Sequence, residues 1–364
     1  MENSSQLAAP GTAPMTLSRR FASRTANAIV ASSARAFSSS TASSSFGSLF
    51  NSSVRVVEQL STKGYAVVDD GIDADDARTL LDEMKALRAD GAFVENKTVF
   101  TKAGEKFELV KPNVLELEAH NIASAKKQKI APTFAALAND ASFMNAFNSK
   151  MGWDERTRAL VKMSVKLQVN AGGGGCFPVH FDSDASLDSR RLTVLTYLNE
   201  NWAPGDGGEL VLYPFPREKV IVEPKFGRVV LFSSQFGLHR VLPSNAKERW
   251  MFTMWCFASA MQEPKKAEAP GADAMTQLRG LISPSLRKHL AKVVLADEWA
   301  TSIVQAHADD DGRSAALQTH WDEVELITKV LTSNFPLGLE KLAKVIEKGD
   351  VEVLEKIDMD WFPL

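Results

Sequence analysis

Phe177-Pro-Val-His-Phe-Asp182 is the most informative segment of this chain, and it lies inside a longer β-like region, residues 166–257. Side chains alternate between the two faces of a strand, so His180 and Asp182 project to the same side. One imidazole and one carboxylate on one face supply two of the three side chains of a 2-His-1-carboxylate site for non-haem Fe(II). The segment therefore predicts part of a metal site, although such a pair alone is common by chance.

Two residues further along the chain complete the predicted site. His239 lies in the β-like run Gly237-Leu-His-Arg-Val-Leu242 and is the candidate for the third metal ligand. Arg249 follows ten residues later and opens the strand-like segment Arg-Trp-Met-Phe-Thr-Met-Trp-Cys-Phe. A buried cation beside an iron site requires an anion, and a dicarboxylate co-substrate would supply one. In this order, the four residues are a far more specific signal than the first pair.

The region around these residues is patterned as strands. Short segments rich in β-branched and aromatic residues alternate with turn residues, and no helical period of useful length is present. The predicted strands are 165–170, 177–181, 192–198, 209–213, 219–222, 228–232, 239–242 and 249–257. Eight short strands at regular spacing predict a double-sheet jelly roll.

Several short motifs in this region match one enzyme family. They are His180-Phe-Asp182, Tyr197-Leu-Asn199, Gly207-Gly-Glu-Leu210, Val222-Glu-Pro-Lys-Phe-Gly-Arg-Val-Val-Leu-Phe232, His239 and Arg249-Trp-Met-Phe-Thr-Met-Trp255. With these motifs, which cover most of 165–257, the chain resembles the prolyl 4-hydroxylase branch of the 2-oxoglutarate/Fe(II) dioxygenases. The resemblance implies a mainly β fold with helical flanks, in which a double-stranded β-helix (jelly roll) core is supported by N-terminal helices and followed by a C-terminal helical region.

For the site, the resemblance implies specific roles. The implied catalytic metal ligands for Fe(II) are His180, Asp182 and His239. Arg249 would bind the far carboxylate of the co-substrate 2-oxoglutarate, and Tyr197 and Thr253 would add hydroxyl groups. The implied reaction hydroxylates an unactivated C–H bond and converts 2-oxoglutarate and O2 to succinate and CO2, with ascorbate as the reductant. The expected substrate is a prolyl residue of a peptide or protein.

Two departures from the oxygen-sensing relatives leave the substrate open. Asn170 and Phe177 occupy positions that are often tyrosine in those relatives, so the hydrogen bonds to co-substrate and substrate are not fixed by the resemblance. One alternative is another 2-oxoglutarate oxygenase that acts on a small molecule or a non-prolyl residue. A second is a non-catalytic jelly-roll binding module. Two other enzyme classes with a similar layout do not fit. Nucleic-acid demethylases carry a second arginine where this chain has Trp255, and halogenases lack the metal-binding carboxylate that Asp182 supplies here.

The N-terminal part of the chain has a different composition. Residues 1–53 are rich in serine and alanine, contain four arginines and have no acidic residue after Glu2. This composition predicts an organellar transit peptide, mitochondrial or plastid. The alternative is a disordered tail without a targeting role, in which case a cytoplasmic location is expected.

The rest of the chain divides into three parts. Residues 54–262 are the predicted dioxygenase domain, with the jelly-roll core at 161–258. A linker rich in proline, alanine and charged residues is predicted at 263–271. Residues 272–364 are helical by period, and we expect this region to dock on the jelly roll or to form a dimer contact.

Ahead of the jelly roll, the pattern predicts a helix at 54–63, a strand at 65–68 and a helix that Asp73 caps and that ends near residue 91. Residues 103–153 are polar and ambiguous, with helices expected near 122–129 and 133–147. In hydroxylases of this kind, such a region contributes a loop that covers the substrate.

The length, composition and net charge of the chain are those of an ordinary soluble protein. The chain has 364 residues, of which 45% are apolar, and its net charge of −3 gives no reason to expect nucleic acid as a partner. Two cysteines, Cys176 and Cys256, are too few for a disulfide framework or a zinc site. No apolar run approaches the roughly 18 residues needed to span a membrane.

Overall fold

A computed structural model describes residues 28–29, 53–153, 159–184, 186, 188–259, 271–348, 353–354, 357 and 359–362. The strands are β1 (Ala28–Ile29), β2 (Tyr65–Val68), β3 (Val94–Lys102), β4 (Glu105–Glu118), β5 (Leu160–Asn170), β6 (Phe177–His180), β7 (Arg190–Tyr197), β8 (Leu210–Leu212), β9 (Val220–Val222), β10 (Val229–Ser233), β11 (His239–Val241) and β12 (Arg249–Ala258). The helices are α1 (Ser53–Lys63), α2 (Ala74–Ala89), α3 (Ala125–Ile130), α4 (Pro132–Leu137), α5 (Ser142–Met151), α6 (Ala274–Leu281), α7 (Pro284–Val294), α8 (Ala296–Ala306), α9 (Asp311–Asn334) and α10 (Pro336–Lys348), with a short 3-10 helix at Ala119–Ala123.

The strands form two sheets that face each other. The larger sheet has the order β2-β10-β7-β12-β5-β4-β3, and the smaller one has the order β1-β9-β8-β11-β6. Neighbouring strands are antiparallel, except that β1 pairs with β9 in parallel. All eight predicted strands form, as β5 to β12, and four of them lie in each sheet. The predicted jelly roll with helical flanks is confirmed.

The strands at the centre of the larger sheet are buried on both faces. On β7, Leu195 and Tyr197 point into the space between the sheets, whereas Val194 packs outward in the core formed with the N-terminal helices. The outward core includes Phe134 of α4, whose ring meets the ring of Phe252 edge to face at 5.3 Å. Apolar side chains on both faces of a strand therefore fix its place between the helices and the opposite sheet.

The predicted elements ahead of the jelly roll are confirmed in part. The helix at α1, the strand β2 and the Asp73-capped helix α2 are present. The prediction missed the long hairpin β3–β4, because Pro112 and Asn113 (φ 62°) interrupt the alternation of apolar and polar residues along β4. The single helix expected at 133–147 is two helices, α4 and α5.

The C-terminal helices pack against the outer face of the smaller sheet. A second apolar core joins Val179, Val211 and Leu238 of that side with Leu278 and Leu290 of the helices. Of the predicted linker only Gly271 is described, and of the predicted transit peptide only residues 28, 29 and 53; the remainder of both lies outside the described residues. Among the described helices, none has the length and apolar character required to cross a membrane.

Candidate active site

The structure brings together the three side chains that the sequence predicts as metal ligands. His180 ends β6 and His239 begins β11, and these two residues pair directly across the antiparallel strands. Their imidazole centroids lie 4.2 Å apart. Asp182 follows β6 by two residues, and ligand atoms of the three side chains all lie within 4.8 Å of one another. The group is therefore compact enough to hold one metal ion.

Backbone carbonyl groups orient both imidazoles. Nδ1 of His180 lies 2.7 Å from the carbonyl oxygen of Pro178, and Nδ1 of His239 lies 2.9 Å from that of Gly237. A ring nitrogen that faces a carbonyl oxygen carries the proton, so Nε2 of each ring keeps a free lone pair. These Nε2 atoms lie 3.7 and 3.9 Å from Oδ1 of Asp182. Three potential ligand atoms thus face one point.

Asp182 is held by a hydroxyl group on the larger sheet. Thr193 donates a hydrogen bond of 2.6 Å to Oδ2 of Asp182, and its oxygen lies 2.8 Å from the hydroxyl of Ser234. Burial alone would raise the pKa of Asp182, but His239, His180 and the hydrogen bond from Thr193 together lower it below its usual range. The carboxylate is therefore ionised at neutral pH.

The histidine on β11 is neutral. Burial, assisted by the neighbouring His180, lowers the pKa of His239 to about 4, although Asp182 opposes the shift. A neutral imidazole and a carboxylate are the protonation states in which these groups bind a metal. Two imidazoles with one carboxylate form the donor set of a non-haem Fe(II) site.

Arg249 is a buried cation with unused hydrogen-bond donors. Arg249 is the first residue of β12 and is only 1% exposed. Its Nε donates a hydrogen bond to the carbonyl oxygen of Gly208 at 2.7 Å. Both terminal nitrogens are buried and have no hydrogen-bond partner among the residues that the structure describes. Burial lowers the pKa of Arg249, so an anion beside it would stabilise its charge. The planar fork therefore fits a carboxylate.

Tyr197 and Thr253 lie on the same inward face of the larger sheet as Arg249. The guanidinium carbon of Arg249 is 5.2 Å from the centroid of the Tyr197 ring. The Tyr197 hydroxyl is buried and has no hydrogen-bond partner within the described part of the chain. Thr253, four residues along β12 from Arg249, is 4% exposed. Both predicted hydroxyls are therefore buried on the side of the sheet that carries the cation.

The two positions that depart from the oxygen-sensing relatives also line this region. Asn170 pairs directly with Arg249 across β5 and β12, and its amide nitrogen donates to the carbonyl oxygen of Gly175 at 2.9 Å. The ring centroid of Phe177 lies 6.3 Å from that of His180. Asn170 and Phe177 therefore both lie next to the site.

Sequence reasoning missed the groups that support Asp182. Thr193 binds the carboxylate and also contacts the hydroxyl of Ser234, and Arg190 donates to the backbone oxygen of Asp182 at 2.9 Å. The guanidinium of Arg190 also lies 4.2 Å from the ring of Trp255. A sequence signal existed for Thr193, because it shares the inward face of β7 with Tyr197 by two-residue periodicity.

Comparisons with known proteins agree with this geometry. The family described as "2OG-Fe(II) oxygenase superfamily" matches residues 165–257. A crystal structure described as one of the prolyl 4-hydroxylases from Phytophthora capsici is 31% identical, covers 85% of this chain and 97% of its own, and superimposes with a TM-score of 0.64. The chain belongs to the 2OG-Fe(II) oxygenase superfamily. It is an oxidoreductase of the dioxygenase class, in the prolyl hydroxylase-like branch, and the family implies Fe(II), 2-oxoglutarate and O2.

Curated relatives of this oxygenase cover less of its length. The hypoxia-inducible factor prolyl hydroxylase of Caenorhabditis elegans is 25% identical over 224 residues, which are 60% of this chain and 30% of the relative. Prolyl hydroxylase EGLN3 of Mus musculus is 36% identical over 116 residues, which are 31% of this chain and 45% of the relative. The chain thus spans less than half the length of these curated relatives.

Proposed function

We propose that this oxygenase is a 2-oxoglutarate- and Fe(II)-dependent hydroxylase that acts on a prolyl residue of a peptide or protein. The observation that carries the proposal is the buried guanidinium of Arg249, whose two terminal nitrogens have no partner among the described residues. It lies inside the same jelly roll as the compact group of His180, Asp182 and His239. A dicarboxylate that joins the metal to this cation would satisfy both.

The chain's own residues have separate tasks in this proposal. His180, Asp182 and His239 hold Fe(II), and Arg249 binds the far carboxylate of 2-oxoglutarate. The bound metal supplies the activation of O2 that is coupled to conversion of 2-oxoglutarate to succinate and CO2. The Tyr197 hydroxyl donates a hydrogen bond to the carboxylate that Arg249 binds, and Thr253 adds a second hydroxyl on the same face.

Supporting contacts keep these groups in place and dry. The hydrogen bond from Thr193 occupies Oδ2 of Asp182, so that Oδ1 is the oxygen that faces both Nε2 atoms. The space between the sheets is lined by apolar side chains that exclude water. Among them are Leu195, Leu210, Val230, Phe232 and Met251. Exclusion of water strengthens the attraction between Arg249 and a carboxylate.

The prolyl substrate is supported by the names of the relatives and by the similarity to the Phytophthora capsici structure over most of the chain. Asn170 and Phe177 stand beside the site at positions that are often tyrosine in the oxygen-sensing relatives, and they bear on the hydrogen bonds to co-substrate and substrate rather than on the metal group. A 2-oxoglutarate oxygenase that hydroxylates a small molecule or another residue is the alternative, and it would use the same metal and cation.

The test is an assay with Fe(II), 2-oxoglutarate and ascorbate, in which succinate and the peptide mass are measured together. We expect succinate formation coupled to the gain of one oxygen atom on proline-containing peptides. His180→Ala and Arg249→Ala should abolish both, whereas Arg55→Ala, at an exposed position on α1, should leave them unchanged. Succinate without any hydroxylated peptide would favour the alternative substrate, and a wild-type protein that forms no succinate would contradict the proposal.

A further inference from the structure

The C-terminal helix α8 covers the edge of the strand that carries His180. β6 is the last strand of the smaller sheet, so one of its edges has no strand partner among the described residues. Backbone groups on such an edge require partners from another element or from water. α8 packs along β6 and supplies such a partner.

Ser302 of α8 binds the backbone next to the first histidine. Its hydroxyl oxygen accepts a hydrogen bond of 2.9 Å from the backbone N–H of Val179, the residue directly before His180. The same hydroxyl donates to the carbonyl oxygen of Trp299 at 2.6 Å. Ser302 is fully buried. One hydroxyl thus joins the backbone of β6 to the backbone of the helix.

Gln305, three residues along α8, contacts the strand that carries His239 and the residue that precedes the strand of His180. Its side-chain oxygen accepts a hydrogen bond of 2.6 Å from Arg240, the residue directly after His239. Its backbone oxygen lies 3.4 Å from the sulfur of Cys176, which directly precedes β6. Because Arg240 is only 4% exposed, its guanidinium depends on acceptors that the protein supplies, and Gln305 is one of them.

A third contact of α8 is at Phe181, the residue between the two ligands His180 and Asp182. Trp299 of α8 packs near Phe181, with ring centroids 6.4 Å apart, and Phe181 separates His180 from Asp182. The helix therefore contacts the chain beside each of the three side chains in the metal group, at Val179, at Phe181 and at Arg240.

We propose that Ser302 and Gln305, in the C-terminal helical region, are positioning residues of the metal site. Their contacts set the distance between His180 and His239. The proposal rests on the proposed function in that these histidines are the metal ligands. A metal ion needs its ligands at fixed distances and angles, and contacts that orient the ligands contribute to its affinity. Without the hydroxyl of Ser302, the N–H of Val179 loses its partner and β6 relaxes, so metal binding must order the strand.

The test compares two adjacent residues of the same helix in the full chain. Thr301 is exposed and its hydroxyl donates to the carbonyl oxygen of Asp297 at 2.8 Å, within the same helix. Thr301→Ala therefore removes an intrahelical bond like that of Ser302, whereas only Ser302→Ala also removes a hydrogen bond to β6. We expect Ser302→Ala to weaken Co(II) binding about tenfold and to alter the Co(II) absorption spectrum, and Thr301→Ala to change neither.

Gln305 provides a second pair of variants at a position that is exposed on the helix. Gln305→Leu removes the acceptor for Arg240 and should also weaken Co(II) binding, whereas Gln305→Glu keeps an oxygen there and should retain the wild-type affinity. Because the side chain is exposed, these variants are expected to fold even if Ser302→Ala does not.

The outcome that overturns the proposal is specific. If Ser302→Ala and Gln305→Leu bind Co(II) as tightly as Thr301→Ala, while thermal unfolding of the metal-free proteins shows lower stability, then α8 only adds stability. Failure of the proposed function has a different signature, since wild type would then bind Co(II) no better than His180→Ala. Hydroxylation of a peptide is not part of the readout.

Discussion

The hydroxyl of Thr193 donates a hydrogen bond of 2.6 Å to Oδ2 of Asp182, and so a side chain on the larger sheet fixes a carboxylate that follows a strand of the smaller sheet. Thr193→Val keeps the shape of the side chain and removes this donor. We expect affinity for Co(II) or Fe(II) to fall about 10- to 100-fold, because the carboxylate loses the contact that orients it. Titration calorimetry with Co(II) measures the change.

Thr196 is a matched control for that substitution. It lies on the same strand, is fully buried, and its hydroxyl has no hydrogen-bond partner within the described ranges. Thr196→Val should leave metal affinity unchanged and should not lower stability. Equal losses of affinity in both variants would show that the bond to Asp182 is not the cause.

Substitution of Arg249 by lysine tests the role of the planar fork. Arg249→Lys retains the positive charge but cannot form two parallel hydrogen bonds to a carboxylate. We expect the KM for 2-oxoglutarate to rise about 10- to 100-fold, as expected for the loss of a charge-assisted hydrogen bond. Succinate formation at varied 2-oxoglutarate measures this change, and a KM equal to that of wild type would place the co-substrate elsewhere.

Gly208 allows the close approach of Arg249. Its φ is 74°, and a Cβ atom at this position would lie 2.6 Å from Cδ of Arg249. Gly208→Ala should therefore displace the guanidinium and raise the KM for 2-oxoglutarate, in addition to a backbone cost of about 1–2 kcal/mol.

A substitution at Gly205 separates the displacement of Arg249 from the backbone cost. Its φ is 104°, and a Cβ atom there would meet nothing within 4 Å. Gly205→Ala should lower stability without a change in KM. Urea unfolding and succinate kinetics on both variants provide the comparison, and a similar KM for the two would refute the displacement of Arg249.

His239 makes the stability of the metal-free protein depend on pH. Its pKa is lowered from 6.5 to about 4 by burial and by His180. Between these values the unfolded chain binds a proton that the folded protein does not, so the free energy of unfolding decreases as the pH falls through this window. The decrease is at most about 3 kcal/mol.

Urea unfolding of the metal-free protein at about pH 5 and about pH 7 tests this dependence, because the two values lie on either side of the unfolded pKa of histidine. The comparison is with His239→Asn, which has no titrating group there. The carboxyl of Asp182 contributes only at lower pH, since its pKa is lowered from 3.8. An identical pH dependence in both proteins would show that His239 is not buried in its neutral form.

The metal group could be predicted from the sequence because its residues combine local spacing with a fixed order along the chain. His180 and Asp182 share a strand face, and His239 precedes Arg249 by ten residues in strand-like runs. Thr193 could not be assigned in the same way, because threonine is common in strands and its bond to Asp182 forms only when the two sheets meet.

In the rest of the fold, too, local sequence patterns could be predicted and contacts between distant elements could not. The strands of the jelly roll have clear two-residue periodicity, whereas Pro112 and Asn113 divide β4 into segments too short to indicate a hairpin. The C-terminal helices have a helical period, but the period of α8 does not reveal that Ser302 binds the backbone beside His180. Contacts between distant elements require the folded structure.

The apolar core shared by the smaller sheet and the C-terminal helices has a consequence for truncated forms of the protein. Val211 and Leu238 on the outer face of that sheet are each 2% exposed in the whole chain, in a core that the helices help to form. A protein cut before α6 would present these side chains, together with the open edge of β6, to water. Such a fragment is expected to aggregate through strand pairing between copies.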